Sequence, residues 1–266
     1  MSYWEERHLK AQDKISDKSI KQINKQLQKY YGKAATKVIE DFEDTYNKLL
    51  NTVEAGRQPT PADLYKLDKY WKAQAQMREE LRKLGDKQIV LLTKEFETNF
   101  FEIYYSIELD NITPMFNTID NAAVQQMINE IWCADGKSWS QRIWNNTDRL
   151  AETLNEGLIH IVASGKKTTE LKNVLQERFG VSYNRANMLV RTEVAHIQTQ
   201  AAVQRYRDYG LDRYEILGRE EGSCGNHSVD CHKMDGKIFY YNEMNVGVNA
   251  PPFHPNCRCA IVPVID

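Results

Sequence analysis

Five side chains of the kind that bind transition metals crowd the last part of this 266-residue sequence. They fall into two groups, Cys224-x6-Cys231 and His254-x2-Cys257-x-Cys259, about 22 residues apart. Structural zinc takes four nitrogen or sulfur ligands in a tetrahedron, commonly two from each of two turns. Both halves read as turns. "EGSCGNHSVDCHKMDGK" carries glycines at 222, 225 and 236, and "PPFHPNCRC" is stiffened by three prolines, with "KIFYY" between them as a strand. So small an element buries little apolar surface. A bound ion, worth about 10–16 kcal/mol in zinc-finger peptides, would supply what packing does not. The expected ligands are Cys224, Cys231 and His254 with one of Cys257 or Cys259, and His227 and His232 stand in reserve. Reduced thiols without metal, or a disulfide framework, are the competing readings. Cys133, beside Trp132 in an apolar helical stretch, reads as a core thiol.

A catalytic zinc would need an open coordination position and a general base nearby. Glu193 and His196, three apart in "RTEVAH", share a helical face with Arg191 close by, and Glu193 is the residue that could act as base. The same pattern also suits a solvated face or a buried ion pair. The sequence holds no HExxH, GxSxG or phosphate-binding glycine loop, and Gly136-Lys137-Ser138 lacks the upstream glycine of a P-loop. No catalytic residue is assigned.

Helices must carry these groups. From Ile20 the apolar positions Ile23, Leu27, Tyr31, Ala34, Val38, Phe42, Tyr46, Leu49 and Val53 recur at steps of three and four, which predicts one long amphipathic helix. Thr60 and Pro61 restart the chain as N-cap and first helical residue. A second helix is predicted to stop at Gly85 and a third to be capped by Asp86. Residues 111–120, with Pro114, form a break. Beyond it helices are predicted over 122–132 and 139–163, then a short one closed by Gly180, then one from 183 to about 209 capped by Ser182. After Gly210, "DRYEILGRE", "GKIFYYNE" and "CAIVPVI" read as short strands. The fold class is mainly α with a small C-terminal antiparallel β element. A long-helix arm or bundle (1–115) precedes a compact domain (116–266) that ends in the Cys/His hairpin (about 211–266).

A formal charge of −2 and 27 % charged residues provide no global attraction for nucleic acid. "MSYWEERHLK" places charges where a signal peptide needs an apolar core, and no apolar run approaches a membrane span. The sequence reads as a soluble intracellular protein. Its aromatic helical stripes suit core, partner contact or self-association through the N-terminal helices.

Over about residues 120–266 the sequence resembles the phage minor head proteins of the Mu F-like head-morphogenesis family. Three features carry the resemblance: the helix with Arg191-Thr192-Glu193, the Cys…Cys…Asp235-Gly236 element, and the terminal Pro-Pro-x-His-Pro-x-Cys-Arg-Cys. The resemblance implies a nonenzymatic structural protein of the virion, made in the host cytoplasm and placed inside the phage head. Its implied partners are the portal protein, with scaffolding protein, capsid protein and phage DNA, and its implied role is head assembly or DNA ejection. Some relatives are fused to toxin domains; none is expected here, where the sequence stops at the motif. The rival is a zinc-dependent, nuclease-like hydrolase that uses the C-terminal site with Glu193 as base.

Overall fold

The computed structural model describes residues 3–110, 112–116, 118–218 and 231–265, so Cys224 and the reserve ligand His227 lie outside the described residues. The described residues form α1 (Tyr3–Thr52), α2 (Pro61–Tyr65), α3 (Asp68–Ser106), α4 (Asn121–Ile128), α5 (Trp139–Ala163), α6 (Thr168–Asp208), β1 (Arg213–Leu217), β2 (Ile238–Tyr240) and β3 (Ala260–Pro263). The protein is mainly helical with a small antiparallel sheet of order β2-β1-β3. Among the described residues no helix is long and apolar enough to cross a membrane.

Contacts divide the chain into two compact units that interleave along the sequence. One comprises Met1–Asn24, Leu91–Trp139 and Asn187–Asp266, and the other Lys25–Val90 and Ser140–Ala186. The helices α1, α3 and α6 each contribute to both. The division at 115/116 drawn from the sequence is one of sequence character, whereas these units are defined by contact.

In the second unit the predicted stripe of α1 is the buried one: Leu27, Tyr31, Val38, Phe42, Tyr46 and Leu49 are all buried. Burying each such side chain contributes about 1.5–3 kcal/mol. Polar ties fasten the helices of this unit to one another. Asn146 Nδ2 donates to Tyr31 Oη at 3.2 Å and to the Ser182 carbonyl at 2.9 Å. Asn155 Oδ1 accepts from Tyr70 at 2.9 Å and from Gln74 at 2.7 Å. At the start of α2, Thr60 is the N-cap and Pro61 lies in the first turn, as predicted, and Asp63 completes a reciprocal capping box.

The helix predicted from Pro61 to Gly85 breaks after Tyr65 and restarts at Asp68, and the one predicted over 122–132 ends at Ile128, leaving Cys133 half-buried in a bend beyond it. Three further boundaries are corrected. First, α1 begins at Tyr3, well before Ile20. Second, α3 runs unbroken through Gly85. That glycine makes room for a neighbour: a Cβ there would lie 2.5 Å from the Trp144 ring. Third, α6 runs unbroken through Gly180 and Ser182. Ser182 is buried against Tyr31, with the two hydroxyls 3.4 Å apart, and does not cap a helix.

In the first unit, Ser16 Oγ donates to Gln198 Oε1 at 2.8 Å and Gln198 Nε2 donates to Gln12 Oε1 at 3.1 Å, which ties α1 to α6. The Arg205 guanidinium lies over the rings of Tyr104 and Tyr209, at 5.0 and 4.8 Å from their centroids. It also donates to the carbonyls of Ile107 and Phe116, so the break after α3 is fastened to α6. β1 pairs with β2 through Tyr214↔Phe239 and with β3 through Ile216↔Ile261. Leu9 of α1 packs with Leu217, Ala260 and Val262.

Candidate metal centre

Cys231 opens a single 3-10 turn, Cys231–Met234, on the way into β2. The end of that turn is set by Asp235-Gly236. Asp235 Oδ1 accepts the Gly218 N–H at 2.7 Å, and Gly236, at φ +74°, donates its N–H to the Ile216 carbonyl at 2.8 Å. Gly218 is needed at that approach, since a Cβ would lie 2.9 Å from the Asp235 side chain. These bonds lash the turn to β1.

The other ligand-bearing segment is 251–259, leading into β3. Cys257 N donates to the His254 carbonyl at 3.1 Å, with Pro255 and Asn256 at the two central positions. Asn256 has φ +60°, the only non-glycine residue with positive φ among those described. Proline first and a left-handed residue second is the pattern of a type II turn. It folds "HPNC" back on itself and holds His254 and Cys257 close together. The His254 ring contacts the Pro255 carbonyl through Nδ1 at 2.9 Å. A carbonyl only accepts, so Nδ1 donates here, and Nε2 is the ring nitrogen that a metal could take.

Cys231, Cys257 and Cys259 are all buried thiols, as is the His254 ring. Cys259 shares side-chain hydrogen bonds with Cys257 and with Cys231. The Cys259 bond, helped by backbone groups of Phe253 and Cys259, pulls the Cys257 thiol from 9.0 down to about 6 despite its burial. The same bond and its own burial push Cys259 up. A thiolate at Cys257 is thus stabilised by Cys259, which in turn meets Cys231. The donor types and their burial suit zinc. As they stand, the described residues contain no group of three or more His, Cys, Asp or Glu side chains arranged to hold a metal ion. The thiols meet as a chain of pairwise contacts, and Cys224 lies outside the described residues.

The remaining sequence-selected residues divide between two faces of α6. Thr192 reaches the ligand turn: its Oγ1 accepts the Asn256 N–H at 3.2 Å while donating to the Met188 carbonyl at 2.8 Å. Arg191 is exposed and donates to Asn187 at 3.2 Å. Glu193 is buried, with Oε2 accepting the Trp132 indole N–H at 3.0 Å. Trp132 stacks on His196 with ring centroids 4.7 Å apart. His196 is fully buried with no hydrogen bond to either ring nitrogen, and burial lowers its pKa from 6.5 to about 3. The Glu193/His196 pair is therefore a roofed, buried cluster and not a hydrated acid–base face. Sequence reasoning missed Trp132 as its roof, because 61 residues separate it from Glu193. It also missed Asn256, whose type and place after proline were the available signal.

Comparison with known proteins matches residues 152–262 to the family described as Phage Mu protein F like protein. The matched region runs from within α5 through α6 and the sheet to β3, and it contains Cys231, His254, Cys257 and Cys259. The chain is also similar to the NAD(+)--arginine ADP-ribosyltransferase EFV of Enterococcus faecalis, at 24 % identity over 190 residues. That match covers 65 % of this chain and only 38 % of the relative, so the chain spans well under half of that protein's length. No solved structure matches significantly. Over residues 152–262, somewhat under half of its length, this chain is similar to the Phage Mu protein F like family.

Proposed function

We propose that this protein is a minor head protein of a phage, carried inside the virion and made in the host cytoplasm. In this reading it associates with the portal and acts in head assembly or DNA ejection without catalysing a reaction. The observation that carries the reading is the family match over residues 152–262, which takes in all the described metal-type ligands of the C-terminal element. Scaffolding protein, capsid protein and phage DNA are further partners in the same reading, with self-association through the long N-terminal helices. Exposed apolar side chains such as Trp71 and Val90 offer surface for such contacts.

One structural zinc, bound by four of Cys224, Cys231, His254, Cys257 and Cys259, anchors the C-terminal element in this proposal. The pairwise contacts of Cys259 with Cys257 and Cys231, all buried, and the Nδ1 hydrogen bond that orients the His254 ring support it. The ion would tie the turn at Cys231 to the turn at 254–257, which flank a sheet of only three short strands. A hydrolase with Glu193 as base finds less support, because that carboxylate is buried under Trp132. The named activity of the Enterococcus relative belongs to a protein most of which has no counterpart in the match.

Co-expression with the portal protein of the same phage tests both parts on one preparation. The chain is expected to co-purify with the portal and to contain about one zinc, with the zinc lost in Cys231→Ser. Failure to co-purify would remove the portal role. Absence of zinc from the unmodified chain would remove the anchor.

A further inference from the structure

The helix α6 and the ligand turn meet at one hydroxyl. Thr192 Oγ1 sends its proton to the Met188 carbonyl at 2.8 Å, so the lone pair that remains is directed by the helix itself. It receives the N–H of Asn256 at 3.2 Å, the second central residue of the turn that carries His254 and Cys257. That amide belongs to a left-handed residue, which any loosening of the turn would release. Arg258, next after Cys257, reaches Asp17 of α1 at 3.4 Å between exposed side chains, a contact of small energy.

We propose that Thr192 is a positioning residue for the thiol site, holding the 254–257 turn so that Cys257 stays against Cys259 with His254 beside it. Its hydroxyl does for this turn what outer-shell groups do for metal ligands elsewhere. For its metal readout the proposal rests on the zinc reading above; for its thiol readout it does not.

The test compares Thr192→Val, which keeps the shape and removes the acceptor, with Thr192→Ser, which restores it, in the full chain. Alkylation by iodoacetamide after chelator treatment is followed at each cysteine by peptide mass spectrometry. Thr192→Val is expected to speed labelling of Cys257 and Cys259 roughly tenfold, the effect of one lost hydrogen bond. Thr192→Ser is expected to label at the parent rate, and Cys133 to label equally in all three proteins. Zinc affinity, measured by competition with a chromogenic chelator, is expected to fall about 10–100-fold in Thr192→Val. Equal labelling of Cys257 and Cys259 in Thr192→Val and parent, or no recovery with serine, would overturn the proposal. If the valine variant does not fold, Thr192→Ala carries the same expectation. If the parent binds no zinc, the zinc reading falls and the labelling contrast alone decides the role of Thr192.

Discussion

At Gly85 the helix α3 gives up a side chain so that the Trp144 ring can approach it. Read from sequence, the glycine is a stop signal; in the fold it is a packing surface. The two readings predict opposite signs for Gly85→Ala. Helix propensity alone would favour alanine by about 0.5–1 kcal/mol. A Cβ 2.5 Å from the indole has to be accommodated by shifting a packed ring, which costs about 1–3 kcal/mol. Urea denaturation is expected to show a net loss of stability of roughly 1–2 kcal/mol, and a gain would contradict the packing. His196 has its own signature. Its folded pKa lies below the unfolded value of 6.5, so the unfolded chain takes up the proton first as the pH falls. Stability is therefore complete above about pH 6.5 and drains away toward pH 3. By pH 5 the loss is about 2 kcal/mol at 1.36 kcal/mol per pH unit. His196→Phe, measured beside the parent at pH 7.5 and pH 5, should lose correspondingly less on acidification. Identical pH dependence of the two proteins would show that His196 is not held neutral by burial.

The helices and strands were legible where periodicity was strong. The α1 stripe, the cap at Thr60 and the three strands follow from residue pattern and turn chemistry alone. What pattern could not settle was whether an isolated glycine or serine ends a helix, because long-range packing decides that. Gly180 makes the point from the other side to Gly85: it lies within α6 and a Cβ there would meet nothing within 4 Å. Gly180→Ala is accordingly expected to raise stability by about 0.5–1 kcal/mol in thermal or urea unfolding. A loss would mean that the helix does break there. The candidate site shows the same split. Its donors were visible as residue types at close spacing, and the turn at Asn256 had a local signal. The neighbours that orient or cover them, Thr192 at Asn256 and Trp132 at Glu193, come from residues 64 and 61 positions away and leave no local mark.

For the molecule as a whole, the two contact units draw on interleaved stretches of chain. The first 24 residues belong with the C-terminal element, and Leu9 shares a small apolar cluster with β1 and β3. A reading in sequence order separates an N-terminal arm from a C-terminal domain, since composition changes along the chain while contacts close across it. The stretch similar to the family runs from within α5 through α6 to the sheet, and the helices before it carry exposed apolar side chains such as Trp71 and Val90, through which assembly contacts are proposed. Where the protein ends up decides whether it is a head protein. Particles of the phage that encodes it should be purified by density gradient and their composition read by quantitative mass spectrometry. The account predicts peptides from this chain in mature heads, at a small number of copies relative to the major capsid protein. Complete particles that lack the chain, with the protein left in the lysate, would contradict it.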